Sequence, residues 1–181
     1  VQGGAQEAPA DSILIDAGAD STENFVAIHS TKATNMLEKF YIGDLDKNSV
    51  KKVDKSDTKD EFYGRSGRPV ALNPKQKKSL KLQAKTVLSH DSIMLDFALP
   101  TSEHVLGLPT GKHMFLSNII KGETVMRRYT PISSNYDVGQ VKFVIKAYRP
   151  CERFPNGGKF SQHLDELKIG DTVDFRGPVG E

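Results

Sequence analysis

Two short runs hold the residue types best suited to chemistry. The first is Arg127-Arg128-Tyr129-Thr130-Pro131, and the second, about 30 residues on, is Gly157-Gly158-Lys159-Phe160-Ser161. The guanidinium of Arg127 offers a planar fork of donors that matches phosphate. Tyr129 leaves the same face of an extended strand two positions later. Its ring can pack on a flat ligand while its hydroxyl makes a hydrogen bond. Thr130 points to the other side and can set a hydroxyl near a ligand's reactive edge, and Pro131 fixes the backbone where the strand ends. Gly157 and Gly158 allow close approach to a phosphate, and the residues after them begin a helix whose unpaired amides and dipole form an anion site. A fixed cation and a glycine-led helix start together suit a large, flat, doubly phosphorylated cofactor. Each run is common by itself; their order, with Ile145-Lys146-Ala147-Tyr148 between them, is the specific signal.

The elements that must position these groups are strands. Leu80, Leu82, Ala84, Thr86 and Leu88 alternate with polar residues, and Ile93, Leu95, Phe97 and Leu99 repeat the pattern after the Ser89-His90-Asp91 turn. Further strands are expected from Lys112 to Ser117, from Thr124 to Tyr129 after the Gly122 turn, across Val141, Phe143 and Ile145, and from Thr172 to Phe175. One helix begins at Lys159 and ends near Asp165-Glu166, a solvated face. Six short strands with one late helix predict a mainly β fold, a closed six-stranded antiparallel barrel over residues 80–181.

Residues 46–79 are rich in Lys, Asp, Ser and Gly, bury too little to offset ordering entropy, and read as a flexible linker. Residues 1–45 read as short helices. Asp20 can cap one that carries Phe25 and Ile28; Ser30 or Thr31 starts another, striped by Ala33, Met36, Leu37 and Phe40 and ended by Gly43. Helices this short need packing against something else.

Composition removes several classes. A net charge of +2 gives no electrostatic case for nucleic acid. No apolar run approaches the ~18 residues of a membrane span, and no signal-peptide block is present. Cys151 is the single cysteine, which favours a reducing, cytoplasmic setting and reads as a tolerated loop residue. His90, His104, His113 and His163 form no cluster with metal-ligand spacing. The start at Val1 and the stop after a Gly177-Pro178 turn suggest a piece of a longer protein.

The stretch from Arg127 to Pro178 resembles, nearly continuously, the flavin domain of the ferredoxin reductase superfamily, in its branch of cytochrome b5 reductases and assimilatory nitrate reductases. The likeness reaches back to about Lys81, and Leu108-Pro109-Thr110-Gly111-Lys112-His113 resembles that family's Leu-Pro-x-Gly-Lys-His segment. The resemblance implies FAD as cofactor, with Arg127, Tyr129 and Thr130 as the flavin motif and Tyr129 and Thr130 at the reacting ring. It implies Val144, Lys146 and Tyr148 as the next flavin-lining strand, Lys146 also meeting the nicotinamide nucleotide. Gly158, Lys159, Phe160 and Ser161 match the pyrophosphate turn, with Phe160 in place of the usual Met.

Asp11 to Leu45 resembles the second half of a cytochrome b5 domain, with Tyr41 to Leu45 as its closing strand. That implies His29 as an axial haem ligand; Val1-Gln2-Gly3-Gly4 stands where the other ligand's His-Pro-Gly-Gly turn would be and has no His, so a bis-histidine site does not close here. By resemblance, the intact parent passes electrons from NAD(P)H through FAD to haem b and on to a molybdenum cofactor that reduces nitrate to nitrite, and a homodimeric parent stays open. A haem–flavin fusion with another terminal acceptor and a non-enzymatic barrel with a vacant groove are the alternatives.

Overall fold

A computed structural model of the chain describes residues 20–43 and 67–180. Six antiparallel strands form one curled sheet: β1 (Lys78–Val87), β2 (Ser92–Ala98), β3 (His113–Ile120), β4 (Glu123–Tyr129), β5 (Gln140–Lys146) and β6 (Thr172–Val179). Their order is β4-β3-β6-β1-β2-β5, so the last strand returns to the middle of the sheet. Lys121 and Gly122, both at positive φ, join β3 to β4 in a two-residue hairpin turn.

Alternation decides what faces inward. Leu82, Leu95, Met114, Leu116, Phe143, Val173 and Phe175 fill the interior of the curl. At its centre the rings of Phe97, Phe143 and Phe175 meet edge-on or tilted, with centroids 5.1–6.2 Å apart. β1 departs from the simple alternation. Its register with β2 shifts between Leu82 and Ala84, a bulge that turns the rest of the strand over. Ala84, Thr86 and Leu88 are therefore exposed rather than inward, and the half-buried Lys85 reaches the Asp165 carbonyl.

β4 and β5 are the two free edges, with no ladder between them among the described residues. Helix α3 (Lys159–Glu166) lies against both, and its Phe160 and Leu164 belong to the core. The barrel is thus closed by a helix rather than by a sixth strand pairing.

The linker expected over 46–79 ends earlier than composition suggested. Residues 46–66 lie outside the described residues. Val70 bridges Val105, while Ala71 and Leu72 are buried and donate their amides to the carbonyls of Val105 and Leu106. Three adjacent apolar residues, Val70 to Leu72, were enough to seat this segment on the core.

Towards the N-terminus, α1 (Thr22–Ile28) begins where Asp20 Oδ1 accepts from Thr22 N, and α2 (Thr31–Met36) begins where Ser30 Oγ accepts from Ala33 N. α2 runs into a 3₁₀ turn (Leu37–Phe40) that stops three residues before Gly43, because Tyr41 is already extended. Residues 41–43 form no strand, and the rest of the expected closing strand, with the Val1–Gly4 and Asp11–Gly18 segments, lies outside the described residues. Met36, Leu37 and Phe40 are 45%, 46% and 68% exposed, so their stripe is uncovered. α1, in contrast, packs on β4, with Ala27 buried against Phe115, Met126 and Val179 on the outer face of the sheet.

Candidate functional site

The glycine turn and the end of β5 form one hydrogen-bonded unit. Gly158 N donates to Tyr148 O over 2.7 Å, and Tyr148 N donates to Ser161 Oγ over 3.1 Å. Ser161 Oγ in turn donates to Gly158 O. Gly157 has φ +60°, and a Cβ there would lie 2.4 Å from Tyr148 O. A Cβ on Gly158 would lie 2.4 Å from Ser161 Oγ and 3.0 Å from Tyr148 Cβ. Only glycine fits either place without a shift. Gly158 caps α3 with no side-chain hydrogen bond, so the first-turn amides of the helix are left for an external acceptor.

The other edge faces this turn. The Tyr129 ring lies 6.0 Å from Phe160 and 6.4 Å from Phe143, which ties the end of β4 to the start of α3. Burial raises the Tyr129 hydroxyl's pKa, opposed by the Arg127 charge and assisted by Tyr148, so it remains a hydrogen-bond donor across neutral pH. Arg127 sits two residues earlier with its side chain exposed; Nη1 donates to Met126 O at 2.7 Å and to Ala27 O at 3.3 Å. Thr130 follows β4 and is exposed. Lys159 pairs with Glu123 at the far end of β4, the contact that lowers the Glu123 pKa.

Val144, Lys146 and Tyr148 share the outer, exposed side of β5 while Phe143 and Ile145 point inward. Lys146 Nζ is held 3.0 Å from Asp91 Oδ2 in the β1–β2 turn. That ammonium, with the Ser89 and Ser92 hydroxyls, holds the Asp91 carboxyl at about 2, and Asp91 raises the Lys146 pKa in return. Phe160 and Ser161 differ from a contact role for side chains: both are buried, so what they can offer a ligand is backbone.

His29 lies just past α1, exposed, its ring stacked on Phe25 at 4.0 Å. Nδ1 is 2.9 Å from Phe25 O. A carbonyl there fixes the proton on Nδ1 and leaves the Nε2 lone pair free for a metal. His113 was set aside in the sequence and is more telling in three dimensions. Met114 pairs with Tyr129, so His113 stands one position beyond, beside the strand end that carries Thr130. Its Nε2 is buried without a hydrogen-bond partner, and burial, then Arg128 and Lys112, lower its pKa. The register that brings it there was not readable from one strand alone. Among the described residues no group of three or more His, Cys, Asp and Glu could hold a metal ion.

A curled six-stranded antiparallel sheet with a glycine-led helix against its two edge strands is the architecture of a flavin-binding class of barrel. Residues 79–181 match the oxidoreductase FAD-binding domain family, and the chain belongs to it. Residues 4–46 match the cytochrome b5-like heme/steroid binding domain family. Nitrate reductase (NADH) of Volvox carteri is 44% identical over 178 residues, which take in 94% of this chain and 21% of that protein. Nitrate reductase (NADH) 1 of Phaseolus vulgaris is 46% identical over 179 residues, 94% of this chain and 20% of that protein. The chain therefore spans about a fifth of the length of these curated relatives. Among solved structures, the cytochrome b5 reductase domain of Ulva prolifera nitrate reductase matches with a TM-score of 0.60 and 44% identity, over 62% of this chain and 44% of that one. No helix among the described residues is long and apolar enough to cross a membrane.

Proposed function

We propose that this chain is the flavin-bearing segment of an NADH-dependent nitrate reductase, joined through residues 46–66 to the second half of a cytochrome b5-like haem domain. The observation that carries the flavin part is the hydrogen-bonded unit of Gly157, Gly158, Tyr148 and Ser161, which opens α3 beside Tyr129. Its glycine cradle and uncapped amides, with the Arg127 guanidinium on the same strand as Tyr129, fit the diphosphate of FAD, and FAD would supply acceptance of a hydride and release of single electrons.

In this reading Arg127 and the amides of Lys159, Phe160 and Ser161 hold the diphosphate. Tyr129 and Tyr148 line the ring and ribityl chain beside Val144, and Thr130 places its hydroxyl at the reactive edge. Lys146 steers the anionic nucleotide, with Asp91 fixing its position meanwhile. His29 serves as one axial haem ligand, for which its Nδ1 contact to Phe25 O prepares Nε2. The nucleotide and molybdenum sites belong to the parent's other segments, and the named relatives support NADH and nitrate as its substrates. The lone cysteine supports a cytoplasmic, reducing location.

The test is the colour of the purified chain after addition of FAD and gel filtration. Retained flavin absorbance in the wild-type chain, and its loss in Arg127→Ala, is the expected result. A colourless wild-type chain, or full retention in the variant, contradicts the reading.

A further inference from the structure

The position of α1 gives Arg127 a second acceptor. Ala27 is buried in a small outer cluster with Phe115, Met126 and Val179, and this cluster is separate from the main core. From there the Ala27 carbonyl receives Arg127 Nη1 at 3.3 Å, while the same nitrogen donates to Met126 O at 2.7 Å. The side chain is thus folded back along the edge of β4. His29 lies two residues past Ala27, so the docked helix is the one that carries the candidate haem ligand.

We propose that the outer face of β3, β4 and β6 is a docking surface for the haem-side helix α1, and that docking and the FAD diphosphate compete for Arg127. A bidentate grip on a diphosphate uses two parallel N–H groups of one fork. While α1 is docked, Nη1 is committed to two backbone carbonyls, so the end-on fork of Nη1 and Nη2 is closed and a diphosphate is left only the Nε/Nη2 edge. An anionic diphosphate is the stronger acceptor, so it draws the guanidinium away and removes the polar contact at the helix end. Among the described side chains, Ala27 is then the one fully buried residue of α1, and a seven-residue helix is not stable by itself. Flavin loading therefore frees the His29 segment from β4, and an empty flavin site holds it there. Linkage makes the effect reciprocal: whatever undocks α1 must strengthen FAD binding by the same factor.

The inference rests on the flavin reading of Arg127, and the experiment separates the two. Methyl NMR of the whole 181-residue chain follows contacts from the Ala27 methyl to the methyl groups of Met126 and Val179. These contacts are expected without FAD and are expected to vanish at saturation. In parallel, FAD is titrated into the wild-type chain and into Ala27→Gln, a neutral side chain too large for the buried site. The variant should bind FAD about fivefold or more tightly than the wild type. Contacts that persist in the flavin-saturated chain, or equal affinities for the two proteins, overturn the competition while leaving the flavin site intact. A wild-type chain that binds no FAD overturns the flavin reading and the competition with it. Should Ala27→Gln fail to fold, the NMR result on the wild type decides alone.

Discussion

At the scale of single residues, glycine and arginine enter the proposed site for opposite reasons, one by having no side chain and the other by having a long charged one. Gly158→Ala should lower stability by about 1–3 kcal/mol, the usual cost of forcing a methyl group into a filled space, because its Cβ would meet Ser161 Oγ at 2.4 Å. Urea unfolding checks this, and an unchanged midpoint would mean that the turn relaxes freely. The Asp91–Lys146 contact adds a pH dependence with a definite sign. Asp91 has a folded-state value of about 2, below its ordinary 3.8. Its contribution is therefore present above about pH 4 and is lost as pH falls towards 2. The raised Lys146 value works in the other direction, its contribution fading only as pH climbs through that value. Wild-type and Asp91→Asn chains should accordingly differ in denaturant midpoint at pH 6 and converge near pH 2; a gap that stays constant with pH would rule out this origin. The residue types here were legible in the sequence, since Arg127, Tyr129, Gly157 and Gly158 sit in runs whose spacing matters. His113 was not, because its place beside Thr130 exists only once β3 and β4 are in register.

At the scale of elements, alternation located all six strands and the glycine turn located α3. It failed in three places, each for a physical reason. The β1 bulge reverses the strand's faces after Leu82, and no single-strand pattern records an inserted residue. Closure comes from α3 packing between the edge strands, since Phe160 enters the core beside Tyr129. Polar composition hid the seating of Ala71 and Leu72, which depends on a partner segment more than 30 residues away. Two measurements follow. Leu72→Ala should cost about 2–5 kcal/mol of barrel stability, the range for truncating a buried leucine, whereas a residue in a free linker would cost nothing measurable. Phe160→Ala should destabilise by about 3–5 kcal/mol and weaken FAD binding along with it, because α3 loses its anchor. Phe160→Met should retain both, and loss of FAD binding in Phe160→Met without loss of stability would give the ring a direct ligand role that its burial does not provide.

At the scale of the whole molecule, the parts differ in how completely they close. The barrel has its own core. The exposed stripe of Met36, Leu37 and Phe40 leaves the haem-side helices with apolar surface uncovered among the described residues. The sequence changes texture near residue 46, and the two family matches cover residues 4–46 and 79–181. It did not signal that α1 would rest on β4, since Ala27 is a small residue in a short helix with nothing in its neighbours to mark it. The central claim is that Arg127 and the amides at the start of α3 grip one diphosphate, and comparing FAD with riboflavin tests it most directly because only FAD carries that group. Fluorescence titrations of both flavins should show the wild-type chain preferring FAD. Arg127→Ala should lose about 10- to 100-fold in FAD affinity, the worth of charge-assisted hydrogen bonds, with riboflavin affinity unchanged. Equal losses for the two flavins, or no loss for either, would contradict the account.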